Sequence, residues 1–178
     1  QLAIAPHPNL ETLRRNTVVI RDLALPANDD VVLEAVQGNT LELGLELELP
    51  DTPMIELKVC RSPGNEEYTR ILVFRSRRRG YSIPDTAIVS LDVSRASSAP
   101  DVDSRSPETV TFPAHPAHPV RLRVFIHRSV VEVFVNDDRF LASRIYPERP
   151  DSTSVSLRAH GHDARLAALQ AWELQPIW

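Results

Sequence analysis

The stretch Thr40-Leu-Glu-Leu-Gly-Leu-Glu-Leu-Glu-Leu49 places leucine at every second position. Successive side chains of a β-strand point to opposite faces, so the five leucines share one face and Glu42, Glu46 and Glu48 share the other. One apolar face and one charged face are typical of a strand that is half buried in an antiparallel sheet. We interpret the three glutamates as a solvated strand face.

Similar short apolar runs continue along the chain and are separated by turn residues rich in proline, glycine, asparagine and aspartate. Many short strands at this spacing predict an all-β sandwich or barrel. The final run contains strong helix formers, but Trp172 alternates with apolar residues, so we predict a strand that buries Trp172. The predicted strands after the leucine run are 55–60, 69–74, 87–93, 120–126, 130–135, 140–146, 154–158 and 166–174.

Two segments do not fit this pattern. Pro6 and Pro8 keep the first fifteen residues extended until Asn9 can cap a short helical turn. Residues 94–119 are rich in proline and serine, which predicts a long exposed connection without a strand of its own.

The length, charge and composition of the chain limit the classes of function that it could have. A length of 178 residues corresponds to about one domain. The net charge of −4 and the pI near 5.9 disfavour nucleic acid as a partner, because such binding relies on an excess of lysine and arginine. No apolar run approaches the roughly 18 residues that a membrane helix needs. The single cysteine, Cys60, excludes an internal disulfide framework and a cysteine-based zinc site.

Two local clusters could carry chemistry. The basic run from Arg75 to Arg79 lacks interleaved aromatic residues, so a solvated loop is favoured over a polyanion site. His160 and His162 precede Asp163, but no third ligand with suitable spacing follows, and a turn is favoured over a metal site. The sequence therefore predicts neither a metal nor a cofactor.

Hydrolytic signatures such as Gly-x-Ser-x-Gly and His-Glu-x-x-His are absent from the sequence. Glycoside hydrolysis needs two carboxylates on either side of the scissile bond. Glu132 differs from most acidic residues here because it shares a strand face with apolar side chains. A half-buried carboxylate usually binds an arginine. We therefore expect a structural role for Glu132, paired with Arg123, Arg128 or Arg144.

One segment, Leu122-Arg-Val-Phe-Ile-His-Arg-Ser-Val-Val-Glu-Val-Phe-Val-Asn-Asp-Asp-Arg-Phe-Leu-Ala-Ser-Arg-Ile-Tyr-Pro147, resembles a signature stretch of glycoside hydrolase family 32. That family includes invertases, levanases and inulinases, and the stretch lies in their C-terminal β-sandwich domain. His127 departs from the aspartate that the family usually has before Arg128-Ser129. Weaker similarities are Leu91-Asp-Val-Ser-Arg-Ala-Ser-Ser98, Ala171-Trp-Glu-Leu174 and the linker-like Leu10-Glu-Thr-Leu-Arg14.

The resemblance implies a two-layer antiparallel β-sandwich of the concanavalin A-like, lectin-like jelly-roll type. It assigns residues 1–16 to a linker from an N-terminal catalytic propeller and residues 17–178 to the sandwich. The family's catalytic motifs resemble Trp-Met-Asn-Asp-Pro, Arg-Asp-Pro and Glu-Cys, and none occurs here, since Arg21-Asp22 is followed by Leu23. No catalytic residue can therefore be carried over.

Three hypotheses remain. The first is a noncatalytic module of a β-fructosidase that packs on and stabilises the propeller of the same polypeptide, and that could also form a homodimer. The second is a lectin-like module that binds fructan or another carbohydrate by stacking aromatic rings on sugars; its candidates are Trp178, Tyr68 and Tyr81. The third, an independent glycosidase, lacks a convincing catalytic group. Under the first hypothesis, Glu132, Arg128 and Trp172 are structural.

Overall fold

A computed structural model describes residues 3–48, 54–76, 86–114 and 118–175, except for the side chain of Ser76. Within these ranges the chain forms one short 3-10 helix, Pro8–Leu13, and twelve strands. The strands are β1 (Arg14–Leu25), β2 (Asp30–Gln37), β3 (Thr40–Glu48), β4 (Met54–Arg61), β5 (Thr69–Ser76), β6 (Thr86–Asp92), β7 (Glu108–Pro113), β8 (Val120–His127), β9 (Val130–Val135), β10 (Arg139–Arg144), β11 (Ser154–His160) and β12 (Ala164–Leu174).

The strands form two six-stranded sheets. Sheet A has the order β1-β12-β3-β8-β9-β10, and sheet B has the order β2-β11-β4-β5-β6-β7. Every pairing between neighbouring strands is antiparallel. The predicted all-β antiparallel sandwich is confirmed. Several neighbours in each sheet are distant in sequence, so β3 lies between β8 and β12.

The core lies between the inner faces of the two sheets. Leu41, Leu43, Leu45 and Leu47 of β3 are all at least 98% buried, as the leucine alternation predicts. Burying one such side chain stabilises the fold by about 1.5–3 kcal/mol. Sheet B contributes alternating apolar residues from β4, β5 and β6 in the same way.

Tight turns join β8, β9 and β10. Asn136 and Asp137 both have left-handed backbone angles, with φ of 50° and 56°. The N–H of Asp138 donates to the carbonyl of Val135 at 3.0 Å, which closes a turn with Asn136 and Asp137 at its centre inside the three-residue connection of the hairpin. Arg128 lies in the β8–β9 turn with φ of 52°, and its N–H donates to the carbonyl of Asn39 at 2.7 Å.

Three local predictions were wrong. Strand β7 forms inside the predicted long connection, because it can complete the edge of sheet B beside β6. A bulge between Leu166 and Ala168 shifts the alternation of β12 by one residue. After the bulge, the apolar residues that face the core are not those that a regular alternation predicts. The first helix is capped by His7 rather than by Asn9, because His7 Nδ1 accepts from the N–H of Asn9.

Among the residues described, none of the helical segments has the length and apolarity to cross a membrane.

Candidate functional site

A buried ion cluster occupies the outer face of sheet A. Glu42, on β3, has no exposed surface. Arg14 donates from Nε and Nη2 to the two carboxylate oxygens of Glu42, at 2.8 and 2.7 Å. Arg123 donates from Nε to Oε1 at 2.5 Å. Charge-assisted bidentate contacts are among the strongest hydrogen bonds in proteins. The prediction that Glu42 lies on a solvated face was therefore wrong.

The register of sheet A explains why Glu42 is covered. Its neighbour on β12 is Trp172 and its neighbour on β8 is Phe125, so two large rings flank the carboxylate. Both neighbouring strands are far from β3 in sequence. Burial of Glu42 therefore depends on non-local pairing that the leucine alternation does not specify.

The chain that precedes β1 crosses this face of the sheet. The N–H of Ile4 donates to the carbonyl of Asp137, next to β10, at 3.0 Å. Farther along, Glu11 lies 3.4 Å from Arg14, the first residue of β1 at the opposite edge. We call residues 3–13 the N-terminal strap. It runs diagonally over the outer face, from the β9–β10 hairpin to the start of β1.

The ion cluster is charged and electrically balanced. Burial by itself would raise the pKa of Glu42, but the hydrogen bonds from Arg14 and Arg123 outweigh burial and hold the pKa below its ordinary value. Glu11 also lies 3.6 Å from Arg123. Two carboxylates and two guanidinium groups therefore sum to zero charge, and the strap is fastened to the sheet through them.

Trp172 lies half buried on the outer face rather than in the core, so the prediction that it is buried in the core was wrong. The bulge in β12 accounts for the change of face. The guanidinium carbon of Arg14 lies 4.0 Å from the ring centroid of Trp172, within cation–π range. The indole also approaches Gly44 closely, since a Cβ added to that glycine would lie 3.8 Å from the nearest ring carbon.

A groove of about 560 Å³ opens beside the strap. The small residues Gly44 and Ala168 line it, and Trp172 forms part of its wall. Val19, on the edge strand β1, also lines the groove and is 50% exposed. Across β3 and β12, each of the two small residues therefore faces a long polar one, Gly44 opposite Gln170 and Ala168 opposite Glu46.

The groove also contains polar side chains without partners. Arg21, Glu46 and Gln170 all line it. In the described part of the chain, their side chains make no hydrogen bond or ion pair. These groups contrast with the ion cluster next to them, in which both oxygens of the central carboxylate are bonded.

Aromatic rings continue across the same face toward β10. The ring centroids of Phe125 and Phe134 are 6.0 Å apart in an edge-to-face arrangement, and those of Phe134 and Phe140 are 4.8 Å apart. Phe140 is 39% exposed. This face thus combines stacked aromatic rings with accessible apolar surface.

The predicted pairing of Glu132 with an arginine is not formed. Glu132 is half buried on β9, between Phe125 and Ala142 in the pairing register. It has no hydrogen bond or ion pair within the described residues, because Arg123 instead binds Glu42. Arg128 bonds to Asn39 through its backbone N–H in the β8–β9 turn, and the structural roles of Glu132 and Arg128 stay predictions.

Of the three carbohydrate-binding candidates, Trp178 and Tyr81 lie outside the described residues. Tyr68 is half buried. Lys58 Nζ lies 5.1 Å from its ring centroid and the guanidinium carbon of Arg95 lies 5.5 Å from it. Sugar stacking by these residues stays a prediction.

Glu67 is a second fully buried carboxylate, and its hydrogen bonds connect loops rather than strands. It accepts from Ser152 Oγ at 2.6 Å, from the N–H groups of Arg149 and Ser98 at 2.9 Å each, and from the N–H of Glu148 at 3.2 Å. Burial would raise its pKa, but these hydrogen bonds lower it below the ordinary value.

Most charges on the outer face of sheet B pair with one another, although Arg158 on β11 has no hydrogen bond or ion pair within the described residues. Lys58 contacts Asp30 at 2.8 Å, Arg70 contacts Asp92 at 2.7 Å, and His160 contacts Glu56 at 3.0 Å. Burial would raise the pKa of Asp92, but the N–H of Ser94 and the guanidinium of Arg70 hold it below its ordinary value.

The described residues include the histidine cluster and only part of the basic run. His160 is bonded to Glu56, and no group of three or more His, Cys, Asp or Glu residues within the described ranges could hold a metal ion. Of the basic run, Arg75 is described, while residues 77–79 lie outside. Cys60 is buried, and burial raises the pKa of its thiol to about 12.

Comparison with known proteins relates the whole fold to one family. A sequence profile described as "Glycosyl hydrolases family 32 C terminal" matches residues 9–173. A levanase of Bacillus subtilis (strain 168) is 27% identical over 177 residues, which is 97% of this chain and 24% of the levanase. A raffinose invertase of Escherichia coli is 52% identical over 54 residues, which is 30% of this chain and 11% of that protein.

A solved structure shares the fold. The fructan 1-exohydrolase IIa of Cichorium intybus superposes with a TM-score of 0.89 at 15% identity. The match covers 98% of this chain and 38% of the exohydrolase chain. This chain thus spans well under half the length of the relatives that it matches.

Proposed function

Because the chain belongs to the family of C-terminal domains of family 32 glycosyl hydrolases, we propose that it is the noncatalytic β-sandwich of a β-fructosidase. Its partner is a catalytic β-propeller in the same polypeptide, joined through residues 1–16. The complete enzyme acts on sucrose or fructans. The sandwich contributes packing and stability, and no group in it takes part in bond cleavage.

The observation that carries the proposal is the family match over residues 9–173, together with a fold match that covers nearly the whole chain but only 38% of the exohydrolase. In the relatives, much additional sequence therefore accompanies this domain. The levanase and the raffinose invertase have names that describe activity on fructose-containing sugars.

The condition of the buried carboxylates supports a structural role. In the described ranges the buried acidic residues are Glu42, Glu56, Glu67 and Asp92. Glu42, Glu67 and Asp92 accept hydrogen bonds from arginine, serine or backbone donors, and Glu56 lies 3.0 Å from the Nε2 atom of His160. A glycosidase needs one carboxyl group that gives up its proton to the leaving oxygen and a second one that faces the sugar. Carboxylates saturated by structural donors are poorly suited to either task.

The experiment compares the isolated chain with the complete polypeptide encoded by the same reading frame. Fructose release from sucrose, inulin and levan is measured for both, with circular dichroism to verify that the isolated chain is folded. We expect release only from the complete polypeptide. Release by the isolated chain that disappears on substitution of one described carboxylate would contradict the proposal.

Titration of the same glycans into the isolated chain tests the lectin-like alternative. Saturable heat with a fructan, absent with unrelated glycans, would favour a carbohydrate-binding module. No saturable heat is expected if packing is the function.

A further inference from the structure

We propose that the groove on the outer face of sheet A is the surface on which the preceding catalytic domain docks, with a loop of that domain inserted beside Trp172 and Ala168. The inference rests on the proposed function and adds to it the face and the residues of the contact. The occupant is thus the upstream part of the same polypeptide.

The path of the strap is the first argument. Ile4 is hydrogen-bonded to Asp137, and Asp137 itself lines the groove. Polypeptide that precedes Ile4 therefore starts at the rim of the groove. Consecutive Cα atoms are about 3.8 Å apart, so a domain joined a few residues upstream is tethered close to this face.

The distribution of exposed apolar side chains is the second argument. Five large apolar side chains are exposed in the described part of the chain. Val19 lines the groove, Ile4 lies in the strap, and Phe140 stands on the same outer face. These are three of the five, and the other two, Val102 and Tyr146, lie in loops. Exposed apolar side chains that gather on one face indicate a surface for a partner.

The chemistry of the groove defines the loop that fits it. The small side chain of Ala168 leaves room for side chains from the partner, next to the Trp172 indole that already contacts Gly44. Arg21, Glu46 and Gln170, without partners in the described part of the chain, can bond to backbone groups and to charges of either sign. The partner is therefore a loop with a compact apolar tip and polar flanks, in keeping with an interface that has an apolar centre and a polar rim.

The test uses introduced thiols, because the native Cys60 is buried and its pKa is raised to about 12, which keeps it unreactive. Val19→Cys places a thiol at the groove on edge strand β1. Ala35→Cys is the matched control, since Ala35 is exposed on β2, the edge strand of sheet B. Maleimide labelling of each site is followed by peptide mass spectrometry, in the isolated chain and in the complete polypeptide.

We expect both thiols to react at similar rates in the isolated chain. In the complete polypeptide, the rate at position 19 should fall at least about tenfold, while the rate at position 35 stays within about twofold, because only a covered thiol loses access to the reagent. Slowing at position 35 alone, or at neither position, would overturn the assignment of the face.

The outcome is distinct from failure of the proposed function. Fructose release by the complete polypeptide tests the function, whereas labelling tests only which surface is covered. An active complete polypeptide with an unprotected position 19 would refute this inference and leave the proposed function standing. Both thiol variants can be compared by thermal unfolding of the isolated chain, where their midpoints should agree with that of the unsubstituted chain.

Discussion

Charged side chains are arranged differently on the outer faces of the two sheets. On sheet B, acidic and basic side chains pair across strands, as in Lys58–Asp30 and Arg70–Asp92. On sheet A, one acid is buried in an ion cluster while Arg21 and Glu46, in the adjoining groove, have no partner within the described ranges.

Exposed apolar surface follows the same division. Val19 and Phe140 both belong to the outer face of sheet A. Sheet B presents Met54 and Phe74 on its outer face only as half-buried side chains. Both outer faces carry an unpaired charge within the described residues, because Arg158 on β11 of sheet B has no hydrogen bond or ion pair there. Of the two outer faces, only that of sheet A carries exposed large apolar side chains in the described part of the chain. The comparison supports the proposal that the outer face of sheet A, rather than that of sheet B, is the one covered by more protein.

The largest effect is expected from Glu42→Ala. The substitution leaves the guanidinium groups of Arg14 and Arg123 without their shared carboxylate. Both arginines retain some exposure, at 20% and 25% of their side chains, so they can partly rehydrate. We expect a loss of about 2–3 kcal/mol in the free energy of unfolding, measured by urea denaturation.

Glu46→Ala is the matched control for Glu42→Ala, because Glu46 lies on the same face of the same strand but is exposed and lacks a partner within the described residues. Its effect should stay within about 0.5 kcal/mol. Equal losses for the two variants would show that the ion cluster does not stabilise this face.

A smaller effect is expected from Asp92→Ala on sheet B. Asp92 accepts from Arg70 and from the N–H of Ser94. Arg70 is already one-third exposed, so water can replace much of what it loses. We expect a loss of about 1–2 kcal/mol by urea denaturation. Glu34→Ala, at an exposed position of β2, should be nearly neutral, and a loss for Asp92→Ala above that for Glu42→Ala would reverse the ranking of the two faces.

The dependence of stability on pH tests the charged state of Glu42. Its pKa is lower in the folded protein, because the arginine hydrogen bonds outweigh burial. Its contribution is therefore complete above the ordinary glutamate pKa and is lost as the pH falls through the lower, folded-state pKa.

We expect Glu42→Gln to be less stable than the unsubstituted chain by about 1 kcal/mol near neutral pH. The gap should narrow as the pH falls from about 5 to about 3, where the native glutamate becomes neutral too. Urea denaturation at several pH values measures this difference in the free energy of unfolding. A gap that widens on acidification would mean that Glu42 is uncharged in the folded protein.

The smallest effect in the isolated chain is expected from Val19→Arg. Val19 is half exposed, so the change should alter the free energy of unfolding by less than about 0.5 kcal/mol. In the complete polypeptide the same change should lower the thermal midpoint, while Ala35→Arg on β2 should not. Equal midpoints for the two variants in the complete polypeptide would remove the distinction between the faces.

Local alternation accounts for most of the fold that could be predicted. The leucines of β3 indicated a buried face, and most later strands lie where the period of two placed them. Strand β7 was not predicted because it forms by pairing with β6 at the edge of sheet B, which the local sequence does not indicate. Trp172 was assigned to the wrong face because a one-residue bulge reverses the alternation, and single-residue bulges leave little trace in composition.

The candidate site was harder to predict because it is assembled by non-local pairing. Glu42 carries the same local pattern as Glu46, yet only Glu42 lies between Trp172 and Phe125. Arg14 reaches Glu42 from a strand 28 residues away, and Arg123 from one 81 residues away. Only the strand order of sheet A brings them together.

The most direct measurement of the contrast between the faces is hydroxyl-radical footprinting of the unsubstituted protein. Trp172 and Phe134 report on the groove, and Met54 and Phe74 report on sheet B; all four are half buried in the isolated chain. Oxidation is compared between the isolated chain and the complete polypeptide. We predict that oxidation of Trp172 and Phe134 falls in the complete polypeptide while that of Met54 and Phe74 is unchanged. Protection of Met54 and Phe74 instead, with Trp172 and Phe134 as reactive as before, would contradict the assignment of sheet A as the covered face.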